Sequence, residues 1–310
     1  SYFFIEKFFR NKKTNFFKFF SIFLLMVIIF FSSIFVIYNS KHSFKIATII
    51  KKHIGEKGFF LQNDHYKFRK SYSPNNFKDL PAKTKKVLIV GNSVGEDLFK
   101  IFYLNKELFS EYNFDLISPK IRDRNSVYQV KCLEELIIKN TTRCNNYEFT
   151  KNILEQFIKS DVIILSTLWT EEDILSLENL IPLIKSKNKK VILVSQQMYM
   201  KIYTSYKFNP LDHYVHVNKK FPSKEDLKKI ERGIYNNLDK VLNPKLLSIS
   251  NKFSISFLDI EKIQCNHNDK LCKLLTPDGY KIYWDPIHIT EEGAKYLGNK
   301  IKKLNWFSYN

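Results

Sequence analysis

Residues 87–95 read Val87-Leu88-Ile89-Val90-Gly91-Asn92-Ser93-Val94-Gly95, and the fold turns on how they are understood. Four consecutive aliphatic residues without polar alternation describe a strand covered on both faces, as in a parallel sheet sandwiched between helices. Gly91 permits a sharp exit from that strand, and the amphipathic segment beyond it predicts a helix over Glu96–Phe109. Ser93 then stands at the carboxyl end of the strand, beside the amino end of the helix. There its hydroxyl is exposed and nearby backbone N–H groups can stabilise developing negative charge. Taken alone, Gly-Asn-Ser also fits a serine that only caps the helix.

The same rhythm continues through the rest of the chain. Strands are expected at Val87–Val90, Phe114–Ile117, Asp161–Thr167, Lys190–Ser195 and Ser256–Ile260. Further helices are expected over Phe149–Lys159, Glu171–Lys185 and Lys224–Val241. Short aliphatic runs alternating with longer amphipathic ones predict a doubly wound, flavodoxin-like α/β domain, a three-layer sandwich with a parallel sheet. In such folds reactive residues gather at the carboxyl edge of the sheet, which is where Ser93 falls.

A second block lies near the other end of the chain, Tyr283-Trp284-Asp285-Pro286-Ile287-His288, followed by Ile289-Thr290-Glu291-Glu292-Gly293. Thr290 is a good N-cap, with two glutamates in the favourable first turn of a terminal helix. Asp285 and His288 therefore share one short loop. A carboxylate there can fix the imidazole tautomer while the other ring nitrogen takes a proton from Ser93. Without a serine nearby, the same loop would be an ordinary surface ion pair.

Residues 19–38 carry no charge and are long enough as a helix to cross the roughly 30 Å hydrocarbon layer of a bilayer. Lys7, Arg10, Lys12, Lys13 and Lys18 precede this run, and Lys41 and Lys45 follow it. The positive-inside rule places the amino-terminal flank in the cytoplasm and the large carboxyl-terminal part outside. The residues after the run do not resemble a signal-peptide cleavage site. The expected organisation is thus 1–13 cytoplasmic, 14–38 a transmembrane helix, 39–84 a linker containing Gly55, Gly58, Pro74 and Pro81, and 85–310 the α/β domain.

Lys and Arg outnumber Asp and Glu by 50 to 31, a net charge of +19. The lysines are spread along the chain among abundant Asn, Ile and Phe, without a concentrated arm or nucleic-acid motif, so a nucleic-acid partner is not expected. The four cysteines form two local pairs beyond the span, Cys132 with Cys144 and Cys265 with Cys272. In an oxidising compartment these read as two disulfides, the alternative being four buried thiols. Neither pair has Cys-x-x-Cys spacing or completing histidines, so no metal is expected.

Together, the Ser93 turn and the Asp285-x-x-His288 element resemble the SGNH hydrolase superfamily over roughly residues 85–305. In that family the nucleophilic serine follows the first strand and a D-x-x-H element precedes the last helix. The resemblance implies a Ser93, Asp285, His288 triad, with Gly91 and Asn92 as the supporting turn, although the family's usual Gly-Asp-Ser here has Asn92 in the middle. It also implies oxyanion donors, for which the Ser93 N–H and Gln196 are the candidates. The family's customary glycine and asparagine donors are not found after Asp161–Thr167 or Lys190–Ser195. Trp169 lines the pocket or packs in the core.

The amino-terminal Ser1-Tyr2-Phe3-Phe4-Ile5-Glu6-Lys7-Phe8-Phe9-Arg10 resembles the closing segment of the acyltransferase-3 membrane domain, with Phe8 where that family has proline. In its fused members a transmembrane helix, a linker and a periplasmic SGNH domain follow in this order. Cys265 and Cys272 before the D-x-x-H block also resemble those fused domains. The resemblance implies the carboxyl-terminal portion of an inner-membrane protein that O-acetylates surface polysaccharide such as lipopolysaccharide. It implies no cofactor in this chain and a donor such as acetyl-CoA for the membrane domain. A serine esterase that deacylates glycan and a non-catalytic glycan-binding module are the competing readings.

Overall fold

The computed structural model describes residues 24–34, 68, 77, 84–117, 133–134, 137–138, 147–201, 208–238 and 240–304. Cys132, Cys144 and most of the expected linker lie outside them. The chain divides into two compact units, Ser1–Ile49 and Ile50–Asn310. Within the first, residues 24–34 are helical, and the apolar side chains of Leu24, Leu25, Met26, Ile28, Ile29, Phe30, Phe31 and Ile34 are exposed. Among the described residues no helix is long and apolar enough to cross a membrane.

The second unit is built on five strands: β1 Lys85–Val90, β2 Tyr112–Ile117, β3 Val162–Leu165, β4 Lys190–Val194 and β5 Ser256–Leu258. Their order is β2-β1-β3-β4-β5, with every pairing parallel. Successive side chains of a strand point to opposite faces. On one face Leu88, Val90, Ile163, Leu165, Val191 and Leu193 join a buried cluster with helices α2 (Tyr147–Lys159), α3 (Glu171–Ser186) and α6 (Leu242–Lys252). The alternate residues Val87, Ile89, Val162, Ile164, Ile192 and Val194 are equally buried. They face the side occupied by α1 (Ser93–Leu104) and the terminal helix α8 (Glu291–Lys303), which pack so tightly that a Cβ on Gly298 would lie 2.2 Å from the Asn105 side chain.

Several boundaries differ from expectation. The first helix starts at Ser93, three residues earlier than its periodicity implied, and gives way to a 3-10 turn over Lys106–Phe109. The single helix expected over Lys224–Val241 stops as α5 at Asn236, where the Asn237 N–H returns to the Ile234 and Tyr235 carbonyls. A separate α6 then begins at Leu242 with Pro244 in its first turn, a position where a missing N–H costs nothing. Helix α4, Pro210–Asn218, was also not expected; Asn209 caps it and Pro210 sets its first turn. Phe68 and Phe77, within the stretch expected to be linker, are buried. Phe68 lies against Phe99 and Tyr103 of α1.

After β5 comes a short helix α7, Glu261–Gln264, and then a hairpin of β6 (Cys265–Asn266) and β7 (Leu271–Cys272). Cys265 and Cys272 form a disulfide across it. The chain then runs back through the bridges Leu275–Lys281 and Tyr283–Ile289 into α8, whose N-cap Thr290 accepts from the Gly293 N–H at 2.8 Å.

Candidate active site

The turn after β1 is shaped by close backbone approach. A Cβ on Gly91 would lie 1.6 Å from the Ser166 carbonyl oxygen, and one on Gly95 2.8 Å from the same atom. The Gly91 N–H donates to Ile117 O on the other flank. The strand therefore emerges between the ends of β2 and β3, the switch point where ligands bind in open α/β sheets. Asn92, not Ser93, is the helix cap: its Oδ1 accepts from the Val94 N–H at 3.0 Å and from the Leu168 N–H at 3.3 Å. The amide thus ties the two sides of the crevice together and leaves Ser93 as the first helical residue.

Asp97 and Lys100 follow Ser93 at spacings of four and seven, on the same face of α1. Asp97 Oδ2 accepts from the Ile289 N–H at 3.1 Å. Lys100 Nζ donates to Ile289 O and, at 2.8 Å, to Asp97 Oδ1. The residue that follows His288 is thereby fastened to the helix that begins with Ser93.

Within the loop itself, Asp285 Oδ1 accepts from the N–H groups of Ile287 (2.7 Å) and His288 (2.6 Å), and Oδ2 lies 2.7 Å from His288 Nδ1. An ionised carboxylate only accepts, so Nδ1 carries the proton and the neutral ring keeps its lone pair on Nε2. The Trp284 ring stacks on the imidazole, centroids 5.2 Å apart. From the segment after β4, Gln197 Nε2 donates to Ile287 O at 2.6 Å and the Met200 N–H to Pro286 O at 2.9 Å. Trp284 N–H closes the loop onto His288 O.

Electrostatics shift each partner toward its charged form. Burial pushes the Asp285 carboxyl up, but the hydrogen bond and charge of His288 and the two backbone N–H groups outweigh it and hold the carboxyl below its ordinary value. Burial likewise pushes His288 down, opposed by the Asp285 hydrogen bond and by the charges of Asp97 and Asp285, so that its net shift is upward. Behind the loop, Lys281 Nζ lies 2.7 Å from both oxygens of Asp212, and Asn209 Nδ2 donates to Tyr283 O. Burial raises Asp212 despite Lys281, and the negative charge of Asp285 adds to the rise.

Trp169 is a core residue. It is 3% exposed and its indole N–H donates to Val194 O at 2.9 Å. Gln196, just after β4, joins the segment between β3 and α3 to helix α6: its Oε1 accepts from the Trp169 N–H at 2.8 Å and its own N–H donates to Asn243 Oδ1 at 2.7 Å. Among the described residues no group of three or more His, Cys, Asp or Glu side chains could hold a metal. Sequence reasoning missed Asp97, Lys100, Gln197, Asp212 and Lys281. For Asp97 a signal existed, since an aspartate between Val94 and Ile101 interrupts the apolar face of α1.

The sequence matches the model of the SGNH domain family, described as fused to AT3 domains, over residues 62–303. The chain belongs to that family. It is therefore an SGNH-type acyltransferase or acylhydrolase domain of the kind joined to a membrane acyltransferase. Among solved structures it is similar to the lipopolysaccharide acetyltransferase periplasmic domain of Salmonella ser. Paratyphi A, at 16% identity and a TM-score of 0.45 over 72% of this chain and 84% of that one. It is also similar to a putative acylhydrolase from Bacteroides fragilis, at 14% identity and a TM-score of 0.36, covering 79% of this chain and 93% of the other. TesA matches at 12% identity and a TM-score of 0.34, covering 70% and 96% respectively. No curated protein matches.

Proposed function

We propose that this SGNH domain transfers an acyl group, acetyl in the first instance, to a hydroxyl of cell-surface polysaccharide, with Ser93, His288 and Asp285 as its triad. The observation that carries the reading is the Asp285–His288 pair, 2.7 Å apart, on a loop fastened through Ile289 to the helix that starts at Ser93. Neutral His288 takes the Ser93 Oγ proton at Nε2 as Oγ attacks the acyl carbonyl. The tetrahedral oxyanion is met by the Ser93 N–H, with the Gln196 Nε2 amide as second candidate. The leaving group departs with the proton held by His288, and an acyl-serine remains. A sugar hydroxyl then gives its proton to His288, attacks the acyl-serine and restores the free Ser93 hydroxyl.

The organisation that fits this chemistry has a cytoplasmic segment 1–13, a membrane helix over 14–38 that anchors the protein in the bacterial inner membrane, a connecting stretch from 39 to 84 and a periplasmic domain over 85–310. The acyl group arrives from a donor such as acetyl-CoA through an acyltransferase-3 membrane domain, the kind of domain to which this family is fused. Support also comes from the charge-free run 19–38 and its basic amino-terminal flank. In the full-length protein Ser93→Ala should leave the polysaccharide made but under-acylated, as read by mass spectrometry. More acyl groups in the variant than in the wild type would establish a deacylase instead, and unchanged acylation a binding module.

A further inference from the structure

The backbone of the loop around His288 is hydrogen-bonded from several elements, and one part of that pattern is not explained by the triad. The polar backbone groups of Pro286, Ile287 and His288 are met by Met200, Gln197, Trp284 and Asp285. Both polar groups of Ile289, in contrast, are met by side chains of opposite charge from a helix about 190 residues earlier: its N–H by Asp97 and its carbonyl by Lys100. Asp97 and Lys100 are 0% and 1% exposed and paired with each other at 2.8 Å. Burying an ion pair in place of well-packed apolar side chains brings little or no net stability. The pair does satisfy the buried N–H and carbonyl of Ile289, and because both partners come from the helix that Ser93 begins, the same bonds also tie the base to the nucleophile.

We propose that Asp97 and Lys100 are positioning residues for the general base, a buried pair on the nucleophile's own helix that grips the backbone N–H and carbonyl of Ile289 and fixes His288 relative to Ser93. The proposal rests on the acyl-serine reading above. Because the grip comes from the helix that Ser93 starts, any drift of that helix carries the base with it. The distance between nucleophile and base is thus held by one rigid element. A shift of an ångström between such groups costs on the order of a hundredfold in rate, which is what the grip guards against.

The pair also sets the charge around the imidazole. The charged groups facing His288 are Asp285 on its own loop and Asp97 and Lys100 on α1. Asp97 and Asp285 raise its proton affinity and Lys100 lowers it. From the segment after β4, Gln197 and Met200 reach the loop without charge. Asp212 and Lys281 lie behind Asp285, where the Asp212 and Asp285 charges are coupled. Loss of Asp97 and loss of Lys100 therefore act on His288 with opposite signs, although both loosen the backbone at Ile289.

The test is the rate at which a fluorophosphonate labels Ser93 in the full chain in detergent, measured against pH for wild type, Asp97→Asn, Lys100→Met and the double variant. Each single variant should label about tenfold to a hundredfold more slowly on the plateau. The acid limb should move to lower pH in Asp97→Asn and to higher pH in Lys100→Met, with the double variant between them. Should a lone buried charge unfold either single variant, the double variant, which leaves none, should still label slowly. The His288 titration followed by ¹⁵N-histidine NMR gives the same signs without catalysis. Single-variant limbs that coincide with the wild type, or move together, overturn the proposal, as does wild-type labelling speed in the double variant. A wild type whose Ser93 does not label at all overturns the triad reading on which it stands, whereas the NMR signs then still decide whether the pair tunes His288.

Discussion

The two halves of the candidate site are built by different physics. The Ser93 turn is a steric device: Gly91 and Gly95 let two stretches of backbone approach to distances that no side chain permits, and one amide, Asn92, bridges the crevice. The His288 loop is an electrostatic device, in which a carboxylate, a buried ion pair and a glutamine bind the backbone of residues 287–289, with the Met200 and Trp284 N–H groups meeting the remaining carbonyls of Pro286 and His288. The comparison teaches that a nucleophile which must not move can be set by close contact of backbone with backbone at the strand ends. A base whose charge changes during reaction needs polar groups drawn from distant elements.

The largest effect that would sharpen this contrast is chemical. Asp285→Asn keeps the size of the side chain but allows the wrong tautomer, and a loss of roughly 10⁴-fold in the Ser93 labelling rate is expected. The sign of the pH effect follows from the raised proton affinity of His288. The ring is an active base only when neutral, so the wild-type acid limb should lie above the ordinary histidine value of about 6.5. Removing the Asp285 charge takes away one cause of that rise, and the residual activity should show its limb at lower pH. A limb left in place would mean that another group titrates.

Next in size is a steric test of the turn. Gly91→Ala puts a methyl group 1.6 Å from the Ser166 oxygen, a clash only backbone movement relieves, and should destabilise the domain by about 3 kcal/mol or more. Urea unfolding measures it. A loss under about 1 kcal/mol would show that the turn is not set by packing after all.

How much of this was legible beforehand follows the same division. Strands β1, β3 and β4 were visible because each contains an unbroken aliphatic run, β2 only in its second half, Phe114–Ile117, where Asp115 interrupts the apolar residues, and the Ser93 turn because a strand, a glycine and a helix follow one another locally. Thr290 was visible as a cap for the same reason. Asp97 and Lys100 were not, because a buried ion pair on α1 has its partner, the backbone of Ile289, about 190 residues away, and one-dimensional periodicity carries no record of it. The break between α5 and α6 was missed because Lys224–Val241 keeps helical spacing across residues 237–241, where only Asn236-Asn237 and the later Pro244 mark the stop.

A smaller effect tests the remote buttress of the loop. The disulfide closes a separation of 7 residues, for which loop entropy gives about 2.5 kcal/mol. The hairpin leads into Leu274, whose carbonyl accepts from the Ile282 N–H just before the D-x-x-H block. Cys265→Ala with Cys272→Ala should lower the unfolding midpoint accordingly. Hydrogen exchange should quicken around 265–275 and stay unchanged at the Val94 and Leu168 amides. Faster exchange at those two amides would show that turn and loop are not separately supported.

The smallest expected effect comes from charges with no part in either half. Lys245 Nζ meets both oxygens of Glu171 at 2.6 and 2.7 Å, geometry as good as that of the buried pairs, but the two side chains are 48% and 56% exposed. Water screens the attraction, and ordering two long side chains offsets much of the remainder, so such a pair is worth no more than about 1 kcal/mol. Glu171 also sits in the first turn of α3, where a negative charge favours the helix by up to about 1 kcal/mol. The Thr170–Asp173 capping box satisfies that terminus whether or not Glu171 is charged. Glu171→Gln should therefore cost under about 1.5 kcal/mol, shrinking further in high salt, and leave Ser93 labelling untouched. A larger loss that persists in salt would mean that exposed and buried pairs of this molecule are not as different as their surroundings make them.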